Sequence, residues 1–85
     1  MKHAGPQALL ALEPLLTQVR QRQPALVERK PGTFYRRGQA LLHFHEDPAG
    51  LFADLKQDGG WQRWPLAQPR DRAALLRALD ARLVD

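Results

Sequence analysis

All six aromatic side chains of this 85-residue chain, Phe34, Tyr35, Phe44, Phe52, Trp61 and Trp64, fall between residues 34 and 64, and the segments on either side are rich in leucine and alanine. Aromatic residues suit a pleated, half-buried surface, whereas Leu/Ala runs suit helices, so the middle and the flanks are built from different material. Isoleucine is absent and valine occurs three times. Any sheet formed here must therefore be filled by Phe, Tyr, Trp and Leu, and the aromatic clustering is mostly what such a sheet requires.

At 9.7 kDa the chain makes one small domain, residues 1–85, near the size at which a single core has little stability to spare. Cysteine, serine and asparagine are absent, which removes disulfides, thiolate metal sites and serine or cysteine nucleophiles. The formal charge of +4 favours anionic partners, and its distribution is uneven. Arg20, Arg22, Arg29, Lys30, Arg36 and Arg37 stand against Glu28 alone, while Glu46, Asp47, Asp54 and Asp58 stand against Lys56 alone. The longest early apolar run, Ala8 to Leu12, is closed by Glu13-Pro14 and is too short for an export signal or a membrane span, so a cytoplasmic location is expected.

Residues 1–5 have nothing to bury and are expected to be loose. Leu9, Leu12, Leu16 and Val19 carry the three-and-four spacing of one buried helical stripe, with Pro14 forcing a kink or a fresh helix start. After Pro24, residues 25–30 read as an extended connector that carries Leu26 and Val27 inward. Thr33 to Arg36 and Ala40 to His45 then form a hairpin with its tight turn at Arg37-Gly38. Asp47-Pro48 reads as a helix start, with Leu51, Phe52 and Leu55 as the buried stripe and Gly59-Gly60 as the stop. Trp61 to Ala67 is a third strand, with Trp64 and Leu66 on one side and Trp61 and Arg63 on the other, and Pro65 marks an edge. A final helix runs from Pro69 to Val84. The expected fold is α+β, a small three-stranded, mostly antiparallel sheet with helices packed on one face, in the order α-β-β-α-β-α.

The stretch Leu42-His43-Phe44-His45-Glu46-Asp47-Pro48-Ala49-Gly50-Leu51-Phe52-Ala53-Asp54-Leu55, with Lys30 to Tyr35 before it, resembles a group of short uncharacterised bacterial proteins and brings no assigned activity. More remotely, the element order is similar to small bacterial domains of the YjbR/MmcQ type, for which nucleic-acid binding has been suggested. That likeness is architectural and implies no site residues.

His43 and His45 are the feature that composition does not explain. On a strand the two imidazoles leave the same face about 6.8 Å apart, within reach of one metal ion. A metal site needs a third ligand, for which Asp47, Glu46, Asp54 and His3 are candidates, none at a diagnostic spacing; two half-buried histidines bonded to nearby carboxylates are the simpler reading. The same groups could serve as a general acid and base, but the chain offers no phosphate loop and few hydroxyls, so no enzyme and no cofactor are expected. Arg36-Arg37 at a hairpin tip could meet phosphates while Tyr35, Trp61 or Trp64 stack on bases. The sequence points first to a binding module that self-associates as a homodimer or takes a protein partner through an open sheet face or edge, and second to nucleic-acid binding; a membrane role is not expected. The expected contact residues are Tyr35, Arg36, Arg37, His43, His45, Trp61 and Arg63.

Overall fold

The computed structural model describes residues 1–84. Along the chain lie β1 (Lys2–His3), α1 (Pro6–Ala11), α2 (Glu13–Arg20), β2 (Val27–Lys30), β3 (Thr33–Arg36), β4 (Gln39–Asp47), β5 (Gly50–Gln57), β6 (Gly60–Pro65) and α3 (Pro69–Leu83). The five longer strands form an antiparallel meander in the order β2-β3-β4-β5-β6, and β1 joins as a sixth by pairing with β4. β3 occupies one edge of β4 only as far as His43, and β1 takes up the same edge at His45 and Glu46. No helix among the described residues is long and apolar enough to cross a membrane.

The α+β class expected from the sequence holds, but the three-stranded sheet and the α-β-β-α-β-α order do not. Residues 47–57, read as a helix, are instead the tip of one hairpin and the whole of β5. Two local features decide this. The Asp47 Oδ2 accepts the Ala49 N–H at 3.0 Å, closing a turn where a helix cap was expected. At the far end Asp58 and Gly59 both have positive φ, 50° and 81°, the pair of conformations a tight hairpin turn requires. Between them the side chains alternate: Ala53 and Leu55 are fully buried, whereas Asp54 and Lys56 leave the other face. A helix here would leave one edge of β4 unpaired over six residues that now pair with β5.

Other segments follow or depart from expectation for equally local reasons. The Arg37-Gly38 turn forms with φ of 52° and 80°. A fresh helix, α2, starts at Glu13 with Pro14 in its first turn, and Leu12 at the junction keeps its side chain in the core. Residues expected to be loose are tied down: the Ala4 N–H donates to the Phe44 carbonyl at 3.0 Å, and Ala4 itself is buried. Leu26 points inward as expected, but Val27 starts β2 and is half exposed, because its side chain shares the face of its cross-strand partner Tyr35.

A single core joins all three helices to one face of the sheet. Leu12, Leu15, Leu16 and Val19 from the N-terminal helices and Leu75 and Leu79 from α3 meet Phe34, Leu41, Leu42, Phe44, Ala53, Leu55 and Leu66. A bulge in β4 helps fill it. Phe34 pairs with Leu42 and Tyr35 with Ala40, so Leu41 is the extra residue, and both leucines reach the core.

The hairpin turn between β5 and β6 is testable without touching the core. A Cβ at Gly59 or at Gly60 meets nothing, but only Gly59 has a positive φ. Gly59→Ala is expected to cost about 1–2 kcal/mol by urea denaturation, with Gly60→Ala close to neutral.

Candidate functional site

Cross-strand partners share a face, so the register assigns the side chains that lie opposite the helices. One row runs Lys30, Thr33, His43, Asp54, Arg63; a second runs His3, His45, Phe52, Pro65. Val27 with Tyr35, and Lys56 with Trp61, extend the same face. The alternate rows, such as Phe34, Leu42 and Leu55, form the core. Five of the seven expected contact residues, Tyr35, His43, His45, Trp61 and Arg63, are thus brought together on the helix-free face.

Arg36 is not among them. Its guanidinium reaches the other side and donates to the carbonyls of Arg82 at 2.8 Å and Leu83 at 3.1 Å, where the end of α3 leaves backbone acceptors without helical partners. Arg37 sits in the turn itself, beside a cleft shared with Gln39, Leu41, Lys56 and Arg82. The basic hairpin tip expected to reach for phosphate is therefore separated from the ring-bearing face.

Asp54 organises the centre of that face. Its two carboxylate oxygens accept from Arg63 Nε and Nη2, both at 2.9 Å, and Oδ2 lies 3.3 Å from His45 Nε2. The Arg63 hydrogen bonds hold the Asp54 carboxyl below the usual carboxylate range against the opposing effect of burial. The rings pack in sequence around it: His43 and Trp61 centroids are 4.9 Å apart, His43 and His45 5.9 Å, His3 and His45 6.4 Å. His3 is oriented by a 2.9 Å hydrogen bond between Nε2 and the Pro31 carbonyl. Burial pushes the His43 imidazole below the ordinary histidine range, and the neighbouring His45 and His3 push it the same way, with Asp54 opposing. Trp61 remains 45% exposed.

Among the described residues no three His, Asp or Glu side chains converge as a metal site needs. His3 and Asp54, both candidate third ligands, do reach the pair, but His3 Nε2 faces a carbonyl and Asp54 is engaged by Arg63. Among the described residues, Thr33 Oγ1, His43 Nε2 and His45 Nδ1 are buried without a hydrogen-bond partner. The helix-free face carries Arg29, Lys30, Lys56 and Arg63 against Asp47 and Asp54, a cationic excess before any histidine is protonated. The Arg29 guanidinium lies 4.5 Å from the Tyr35 ring centroid and the Lys56 ammonium 5.9 Å from that of Trp61.

Sequence reasoning missed Arg29, Lys30, Lys56 and Phe52 as members of this face. The signal that could have found the last two is Asp58-Gly59, a hairpin dipeptide that makes the preceding residues a strand and puts Phe52, Asp54 and Lys56 beside the histidines.

No protein-family model matches the chain, and neither the curated proteins nor the solved structures provide a match to it.

The depressed His43 makes a sign-definite prediction. A histidine that protonates less readily when folded supports the native state above its unfolded value, 6.5, and that support is lost as the pH falls through the lower folded value. Urea stability should drop between pH 7 and pH 5, above the range in which the salt-bridged carboxylates titrate, and His43→Phe should flatten that slope; the His43 ring protons should titrate below the free-histidine midpoint by NMR.

Proposed function

We propose that the protein is a non-catalytic binding module, working in the cytoplasm, whose contact surface is the helix-free face of the sheet and whose partner is anionic. The observation that carries this is the one-sided burial of the core: every helix packs on one face, and the opposite face keeps an exposed tryptophan among four cations and two acids. Complementary charge raises encounter rates and selects partners, while a half-buried aromatic supplies the desolvated contact.

The same charge disfavours pairing of two copies through this face, since like-charged surfaces would meet. Self-association has a separate route, the outer edge of β6, a six-residue strand at the end of the sheet. Multi-angle light scattering across micromolar concentrations checks that second reading, and a constant monomer mass excludes it.

Retention on immobilised heparin, a generic polyanion, tests the first. The wild type should be held at low salt and released as salt rises. Lys30→Glu/Lys56→Glu on the sheet face should elute much earlier than Arg70→Glu/Arg77→Glu on the exposed side of α3, although both pairs remove the same net charge. Equal loss for the two pairs, or no retention at all, contradicts the proposal.

A further inference from the structure

The arrangement of rings on the sheet face points to a particular class of anion, and we infer that it binds single-stranded nucleic acid, with Trp61 as one stacking platform and the Arg29 guanidinium over Tyr35 as a second. The inference rests on the open-face reading above and adds the identity of the partner.

Charge alone does not account for where the aromatic groups sit. Tyr35 on β3 and Trp61 on β6 rise from the same face three strand spacings apart, roughly 14 Å, with His43, His45 and Phe52 on the strands between. Trp61 already packs on one neighbouring ring, His43 at 4.9 Å with a 38° tilt, and is still 45% exposed. Tyr35 carries the planar Arg29 guanidinium. Each ring therefore has a cation beside it: Arg29 at Tyr35, Lys56 at Trp61, with Lys30 and Arg63 at opposite ends of the His43 row. Rings alternating with cations across an antiparallel sheet match a polymer whose repeat is one planar base and one phosphate.

An unpaired strand fits this surface better than a duplex. Base faces are hidden in a double helix, and entry to a groove needs a protruding helix or ribbon, whereas the described helices lie behind the sheet and Arg36 of the β3–β4 hairpin is tied to the end of α3. Recognition should be largely independent of sequence. The buried nitrogens of His43 and His45 and the Thr33 hydroxyl are closed to solvent, leaving π-faces and cations as the reading elements. An acidic peptide would satisfy the cations and leave the exposed rings unexplained.

Fluorescence anisotropy with a labelled 12-nucleotide single strand and with its duplex, at two salt concentrations, tests the inference on the intact protein. The single strand should bind more tightly than the duplex, and binding should weaken with salt. Trp61→Ala should weaken single-strand binding about tenfold or more, and Trp61→Phe should restore most of the loss. Lys56→Gln should lower the dependence on salt, a change that simple loss of ring packing would not produce. Single-strand binding that is absent, no tighter than the duplex, insensitive to Trp61→Ala, or displaced equally well by poly-glutamate overturns the inference. If heparin retention persists in any of those cases the anion-binding surface stands without this partner; if retention is lost as well, both readings fail.

Discussion

One strand carries the whole arrangement. β4 is flanked by β3 and β1 on one edge and by β5 on the other, and its side chains divide the molecule in two. Leu42 and Phe44 face the helices and are fully buried, each contributing about 1.5–3 kcal/mol of apolar burial, while His43 and His45 face away. A chain of 85 residues has apolar side chains for one core only. With the three helices of the described residues committed to the Leu42/Phe44 side, the His43/His45 side is left without a helix. The ring and charge content of that face is what the proposed binding role rests on.

The arginine excess has a similar double meaning. Many of the arginines act as fasteners: Arg20 holds Glu28 and Glu13, Arg22 holds Asp80 of α3, Arg36 donates to the end of α3, Arg63 grips Asp54, Arg72 donates to the Leu66 carbonyl and Arg82 to that of Lys56. Each exposed ion pair contributes little, about 0–1 kcal/mol, but the planar fork of donors fixes orientation as a lysine would not. The basic segment between Arg20 and Arg37, which looked in the sequence like a contact surface, is largely spent on joining α2, β2 and α3. What remains for a partner comes from Arg29 and Lys30 together with Lys56, which lies in the acidic half of the chain.

Legibility followed the uniqueness of the local signal. The Arg37-Gly38 hairpin, the outward Trp61/Arg63 and inward Trp64/Leu66 of β6, and the long α3 each rest on residues with one reasonable conformation, whereas Pro14 allowed a kink as well as the restart at Glu13. Residues 47–57 were ambiguous because Asp-Pro opens a turn as readily as a helix, and Leu51, Phe52 and Leu55 fit one helical stripe as well as two faces of a strand. The Asp58-Gly59 hairpin dipeptide and the pairing of β5 with β4 resolve the ambiguity. The same limit applied to the site. Alternation placed His43 and His45 correctly, but their neighbours Asp54, Phe52 and Lys56 depended on the strand that was read as a helix, and His3 depended on β1, two residues long.

The central claim is that recognition belongs to the helix-free face, and amide chemical-shift mapping during titration with a single-stranded oligonucleotide tests it most directly. The account predicts perturbations concentrated at Lys30, Tyr35, His43, His45, Lys56, Trp61 and Arg63, with α1, α2 and α3 unaffected. Perturbations centred on the exposed arginines of α3, or none at saturating oligonucleotide, would contradict it.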